Sequence, residues 1–224
     1  MKYVFLLLIT SMWLLTAGCG KCGRNVNLGK KTLQSQSVSD WFTYKKVNEV
    51  IYQNSEGETI NMHIEERNEE MIHQFFRHIC YESDMDNAHE YFYGEYVFAQ
   101  YEGSHRDVHQ VFSISLGVCQ MYYGYEPEEL LLQDQVTYSF DFFSPDQWIF
   151  GGVYIYTASY RGNPVPDDST GTDHPELVKE MELNGTTYQD VWIFSRENTP
   201  SIYIQKGKGI IAYTGPDNEI WERQ

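Results

Sequence analysis

Val136, Tyr138, Phe140 and Phe142 alternate with Thr137, Ser139 and Asp141. An extended chain turns successive side chains to opposite faces, so this run reads as a strand with one face buried. Phe112, Ile114, Leu116 and Val118 alternate with Ser113 and Ser115 in the same way. Tyr154, Tyr156 and Tyr160 share a side opposite Val153, Ile155 and Thr157. Asn184-Gly185 lies between two further runs, 177–183 and 186–194, and is the strongest short-range hairpin signal. Glu102-Gly103-Ser104 and Gly215-Pro216-Asp217-Asn218 mark two more turns, and residues 161–175, with three prolines and two glycines, form the longest expected loop. One stretch has a different period. Met71, Ile72, Phe75, Phe76, Ile79 and Cys80 recur at helical spacing behind Asn68, a suitable N-cap, and Glu69-Glu70, which suit a first turn. The pattern predicts a helix over residues 69–81, with a strand as the competing reading.

Composition strengthens the β reading. Residues 91–160 hold 19 of the chain's 35 aromatic side chains, a density that favours strands. The expected fold is mainly β, an antiparallel barrel or sandwich with one short helix. Residues 41–224 are long enough to make a single β-rich domain with its own core.

The N-terminus follows another logic. Lys2 precedes a nearly unbroken apolar run from Val4 to Leu15, closed by Thr16-Ala17-Gly18-Cys19. A positive start, a short apolar core and a small-residue end make a secretory signal. The core is too short for a spanning helix, which needs about 20 apolar residues. Leu14-Leu15-Thr16-Ala17-Gly18-Cys19 resembles the lipobox of bacterial lipoproteins, although Thr16 stands where leucine is commonest. That resemblance implies cleavage after Gly18 and attachment of diacylglyceryl and fatty acyl (palmitate-like) chains at Cys19. Residues 1–18 are then the signal peptide, and residues 19–40, polar and rich in small side chains, are a flexible acylated tether. The implied location is the cell membrane, lipid-anchored and extracytoplasmic. Gly20 is not the aspartate of the enteric inner-membrane retention signal, and no acidic residue precedes Asp40. In a host with two membranes the outer one is expected.

A second resemblance covers roughly the last fifth of the chain. Asn184-Gly185-Thr186-Thr187-Tyr188-Gln189-Asp190-Val191, then Lys206-Gly207-Lys208-Gly209 within an aromatic strand, then Trp221 near the end, look like the ending of many uncharacterised Bacteroidota lipoproteins. No activity comes with that likeness. Gly207 and Gly209 read as a bulge or tight bend between paired strands. A phosphate-cradling loop would need a helix to follow, and Ile210-Ile211-Ala212-Tyr213 is strand-like.

Charge narrows the partners. The chain carries a formal −16, and loss of Lys2 with the signal makes it −17. Such a body repels nucleic acid, so no nucleic-acid partner is expected. The cysteines left after Cys19 are Cys22, Cys80 and Cys119. An exported protein meets oxidising conditions, so Cys80–Cys119 is the candidate disulfide, with two buried free thiols as the alternative.

Candidate chemistry is sparse. His105 and His109 would share a side of an extended segment, with His63, His73, His78 and His89 nearby in sequence. Zinc takes such ligands, but no HExxH or equivalent spacing accompanies them, so histidines on a polar hairpin loop are the better reading and no metal is expected. Residues 167–173 place oxygen donors at alternating positions without the terminal glutamate of a calcium loop. Paired carboxylates would suit glycoside hydrolysis, and Asp141 and Glu126 are the first to consider. No catalytic motif and no cofactor motif stands out. Tyrosine offers a flat apolar face with a polar edge, suited to glycans or protein partners. Tyr91, Tyr93, Tyr122, Tyr123, Tyr125, Tyr154, Tyr156 and Tyr160 are the candidates, most of them expected to be core. The sequence therefore points to a lipid-anchored envelope protein that binds a protein partner or glycan without catalysis. A carboxylate-pair glycan hydrolase and an apolar-ligand carrier are the alternatives.

Overall fold

The computed structural model describes residues 24–78, 89–120, 132–145, 148–159, 176–195 and 200–224. Their elements are β1 (Val26–Lys31), α1 (Ser35–Trp41), β2 (Glu49–Gln53), β3 (Thr59–His78), β4 (His89–His105), β5 (Val108–Gln120), β6 (Leu132–Phe143), β7 (Trp148–Ser159), β8 (Glu176–Leu183), β9 (Thr186–Phe194), β10 (Ile202–Gln205), β11 (Gly209–Thr214) and β12 (Ile220–Arg223). Among the described residues the protein is mainly β with one short helix, and β5, β6 and β7 are strands the alternation predicts. No helix among the described residues is long and apolar enough to cross a membrane.

Chain contacts separate two units. The larger comprises Lys30–Gln74 and Tyr93–Gln224, the smaller Met1–Gly29 and Phe75–Phe92. In the larger unit the strand order is β7-β6-β5-β4-β3-β2-β12-β11-β10-β9-β8. The sheet curls. Tyr213 of β11 lies six places from β6 in that order, a distance of roughly 29 Å along a flat sheet. Yet its ring centroid is 4.8 Å from that of Phe140 on β6, and its hydroxyl donates to Gln110 Oε1 on β5 at 2.6 Å.

Aromatic side chains fill the inside of the curl. Tyr44, Tyr52, Tyr101, Tyr138, Tyr213, Phe112 and Phe140 are all fully buried. Their edge-to-face and offset contacts, such as Tyr52–Tyr213 at 5.0 Å and Tyr101–Phe112 at 4.9 Å, suit the ring quadrupoles. Buried hydroxyls need partners, and here they hold residues 41–47 against the core. Tyr138 donates to the Trp41 carbonyl at 2.6 Å, and Tyr101 to the Val47 carbonyl at 2.6 Å. Tyr44 Oη accepts the Ile210 N–H at 2.8 Å. Burial raises the pKa of Tyr44 to about 12, against the pull of Arg223, so the hydroxyl stays protonated. A second cluster, Leu183, Tyr188, Val191, Ile211 and Ala212, packs the β8–β9 hairpin onto the neighbouring strands.

Several expectations are met. Val136, Tyr138, Phe140 and Phe142 on β6, and Phe112, Ile114, Leu116 and Val118 on β5, are the buried positions of their strands. Asn184 and Gly185 join β8 to β9 with φ of 43° and 88°, the left-handed pair that a two-residue hairpin demands. Gly215 to Asn218 forms the β11–β12 turn, with the Gly215 N–H donating to the Glu219 carbonyl.

Three expectations are corrected. Residues 69–78 are strand, the continuation of β3, and 79–81 lie outside the described residues. The apolar pairs Met71-Ile72 and Phe75-Phe76 fit a helical stripe, but they equally place apolar groups on both faces of a strand. Pairing with a long neighbour decides between the two. The helix is instead α1, inside the stretch expected to be a flexible tether, and β1 lies there too. Trp41 and Ser37 of α1 are buried, and the Gln34 N–H at its start donates to Asp134 Oδ2 at 2.9 Å. The β4–β5 turn falls at Arg106-Asp107, not at 102–104. Gly103 serves close approach within the sheet: a Cβ there would lie 2.8 Å from the Asn61 carbonyl of β3.

Candidate functional site

The outward face of β4, β5 and β6 is built by register. Gln100, Ser113 and Ser139 form one cross-strand row; Glu102, Val111 and Asp141 form the next; Ser104, His109 and Phe143 form a third. All have the opposite parity to the buried residues of their strands, so the alternation that buries Phe140 and Phe142 turns Asp141 and Phe143 outward. Gln100, Glu102, His109, Val111, Asp141 and Phe143 line a wide-mouthed depression of about 500 Å³.

β5 contributes Val111 to its lining, between Glu102 of β4 and Asp141 of β6 in register. One wall carries chemistry. His109 Nε2 lies 3.6 Å from Glu102 Oε2, and His109 Nδ1 lies 3.2 Å from Ser104 Oγ. Gln100 Nε2 donates to Glu102 Oε1 at 3.1 Å, so Glu102 is oriented from two sides. Phe143, 39 % exposed, stands 6.1 Å from the His109 ring. Further along the same face of β4, Tyr96 and Phe98 stack with 6.5 Å between centroids. Gly117 sits opposite Tyr96 in register, and a Cβ there would lie 3.0 Å from the ring, so the glycine makes the space the ring covers. The face can therefore offer an apolar ring surface, two carboxylates, an imidazole and an amide to one ligand.

The histidines do not converge. The Arg106-Asp107 turn lies between His105 and His109, so Ser104, not His105, is the cross-strand partner of His109. His105 packs on the Trp221 ring at 4.9 Å and places Nε2 3.2 Å from Glu58 Oε2. His63 is exposed, 3.8 Å from Glu49, and the His73 ring meets Tyr93 at 5.7 Å. The turn falls where the sequence favours a polar hairpin loop, and the shared side that an extended segment would give His105 and His109 is lost with it.

Glu56, Glu58 and Glu219 form a second constellation, with carboxylate oxygens within 4.8 Å of one another. Its chemistry is that of a clasp. Arg106 Nη2 donates to both Glu58 oxygens at 2.9 Å. Asn54 Nδ2 donates to Glu58 at 3.0 Å and to Glu219 at 2.9 Å. The Arg106 guanidinium holds the Glu58 carboxyl below its ordinary range. This clasp ties the β2–β3, β4–β5 and β11–β12 turns together.

Of the other sequence candidates, Cys19, Cys80, Glu126, Tyr122, Tyr123, Tyr125, Tyr160 and residues 167–173 lie outside the described residues. Tyr154 and Tyr156 fall on β7, and Tyr91 and Tyr93 are half-buried on β4. Cys119 is a free thiol on β5, and burial, opposed by a Gln133 hydrogen bond, pushes its pKa up to about 11. The alternation singles out Asp141. It gives no access to Gln100, Glu102 or Phe143 as companions, because strand register is not written in any one strand. No protein-family model, curated protein or solved structure matches the chain.

Proposed function

We propose that this is a lipid-anchored, extracytoplasmic protein of the cell envelope that binds a glycan on the outward face of β4–β6 without turning it over. The anchor is Cys19, freed by removal of residues 1–18 and acylated. In a host with two membranes its place is the outer one. The observation that carries the binding reading is the wide depression in which the exposed Phe143 ring stands beside Glu102, Asp141, Gln100 and His109. A sugar ring has apolar C–H faces and a rim of hydroxyls. A ring surface beside planar hydrogen-bonding groups suits both. A protein partner could use the same face, whose mix of aromatic and polar groups also suits a transient interface.

The test has two arms. Native acylated protein is used to pull down partners from envelope fractions, and soluble cell-wall and polysaccharide fragments are titrated calorimetrically. Saturable glycan binding, lost in Phe143→Ala, is the expected result. Recovery of a single envelope protein, with no fragment bound, would move the reading to a protein partner.

One observation favours a second reading. Glu102 and Asp141 occupy one cross-strand row on either side of Val111, so their backbones are about 10 Å apart. Longer side-chain reach brings that near the spacing at which two carboxylates can flank an attacking water. Release of reducing ends from a glycan, abolished by Asp141→Asn and by Glu102→Gln, would establish a hydrolase. The carrier reading has less support, because seven aromatic rings fill the inside of the curl.

A further inference from the structure

The smaller unit joins the start of β1 to the end of β3 and the start of β4. Asn25 Oδ1 accepts the His89 N–H at 3.1 Å, which fixes the chain just before β1 to the start of β4. Cys19 lies six residues earlier, so even a fully extended chain puts its sulfur within about 20 Å of Asn25. If that sulfur carries acyl chains in a bilayer, this unit must stand at the membrane surface. Its described residues are suited to that place. Of the four large apolar side chains that stand exposed among the described residues, Val26 at 42 % and Phe75 at 41 % belong to this unit. Phe75 is joined by His89 at 5.7 Å and His89 by Tyr91 at 5.8 Å, and tyrosine is a residue type enriched at the headgroup layer.

Charge points the same way for the segment after Cys19. Lys21, Arg24, Lys30 and Lys31 give residues 19–39 a formal +4 with no acidic residue, in a mature chain of −17. A basic juxtamembrane segment is drawn to anionic headgroups, which repel the rest of the body. Glu90, on β4, and Glu82, Asp84 and Asp86, in the segment between β3 and β4, oppose this. The charge argument therefore belongs to residues 19–39, and the described ends of β3 and β4 contribute apolar and ring contact.

We infer that the start of β1 and the adjoining ends of β3 and β4 form a membrane-contact patch, in which Val26 and Phe75 enter the headgroup layer of an anionic phospholipid bilayer. This rests on acylation of Cys19. The lipid supplies affinity; the patch holds the smaller unit against the membrane surface.

The test uses full-length protein purified from membranes and reconstituted into phosphatidylethanolamine–phosphatidylglycerol vesicles, with and without brominated acyl chains. Phe75→Trp and Phe143→Trp each add one indole at a comparably exposed position, read as the difference from the unsubstituted protein. A blue-shifted emission quenched by bromine for Phe75→Trp, and neither change for Phe143→Trp, is expected. Hydrogen exchange on the unsubstituted protein supplies an independent reading: amides at the start of β1 and of β4 should slow on vesicles relative to detergent-free protein released by cleavage after Cys19. Intact mass separates the possible failures. Acylated protein with an unquenched Phe75→Trp indole and unchanged exchange would overturn the patch and leave the anchor standing. Protein without acyl mass would overturn both.

Discussion

Tyr44 and Gly209 meet so closely that neither can change alone. A Cβ on Gly209 would lie 2.5 Å from the Tyr44 ring, and its φ of 78° is in the left-handed region. Gly209→Ala should therefore cost about 2–4 kcal/mol in urea unfolding, from overpacking and backbone strain together. Gly207, at φ 75°, has open space where a Cβ would stand, so Gly207→Ala should cost only about 1 kcal/mol. Equal losses would show that the tyrosine contact does not constrain the turn. The Cys119 thiol makes a second residue-scale case. With its pKa pushed up to about 11, roughly one thiol in a thousand is ionised at pH 8. Iodoacetamide should leave Cys119 unmodified in the folded protein and modify it in urea, as mapped by peptide mass. Rapid native alkylation would contradict the burial.

At the scale of elements, the clasp around Glu58 gives a pH signature with a definite sign. Its pKa is lowered in the fold by Arg106, so its stabilising contribution is present above the ordinary glutamate pKa and is lost as pH falls through the lower, folded value. Melting temperature should fall on acidification below about pH 4, and Arg106→Ala should remove that component of the fall while lowering stability at neutral pH. An unchanged acid limb in Arg106→Ala would mean that the three turns are held by other contacts. The same scale shows what the sequence reveals and what it hides. β5 and β6 are legible because one face of each is uniformly apolar. The β8–β9 hairpin is legible because Asn184-Gly185 leaves the backbone little choice. α1 is not legible. Its Ser-Gln-Ser-Val-Ser-Asp-Trp sequence has weak helix propensity and no side-chain cap, and it persists through burial of Trp41 and the bond from Gln34 to Asp134. The end of β3 misleads for the opposite reason, since paired apolar residues satisfy both periods at once. The candidate site is half legible: Asp141 stands out on its strand, whereas Glu102 and His109 join it only through register.

For the whole molecule, binding and stability should separate. Phe143 and Asp141 face outward, away from the aromatic core, so Phe143→Ala and Asp141→Asn should leave the unfolding free energy within about 0.5 kcal/mol of the parent. Loss of glycan binding in either variant, against that unchanged stability, would locate function on the outward face; full retention in both would move it elsewhere. The curled sheet holds that face on rigid strands, and the proposed acylation of Cys19 would tether the protein that carries it to a membrane. Intact-mass analysis of the protein extracted from its native membranes tests the anchor most directly. The expected product begins at Cys19 and carries the added mass of a diacylglyceryl group. A chain that begins elsewhere, or begins at Cys19 with no acyl mass, would contradict it.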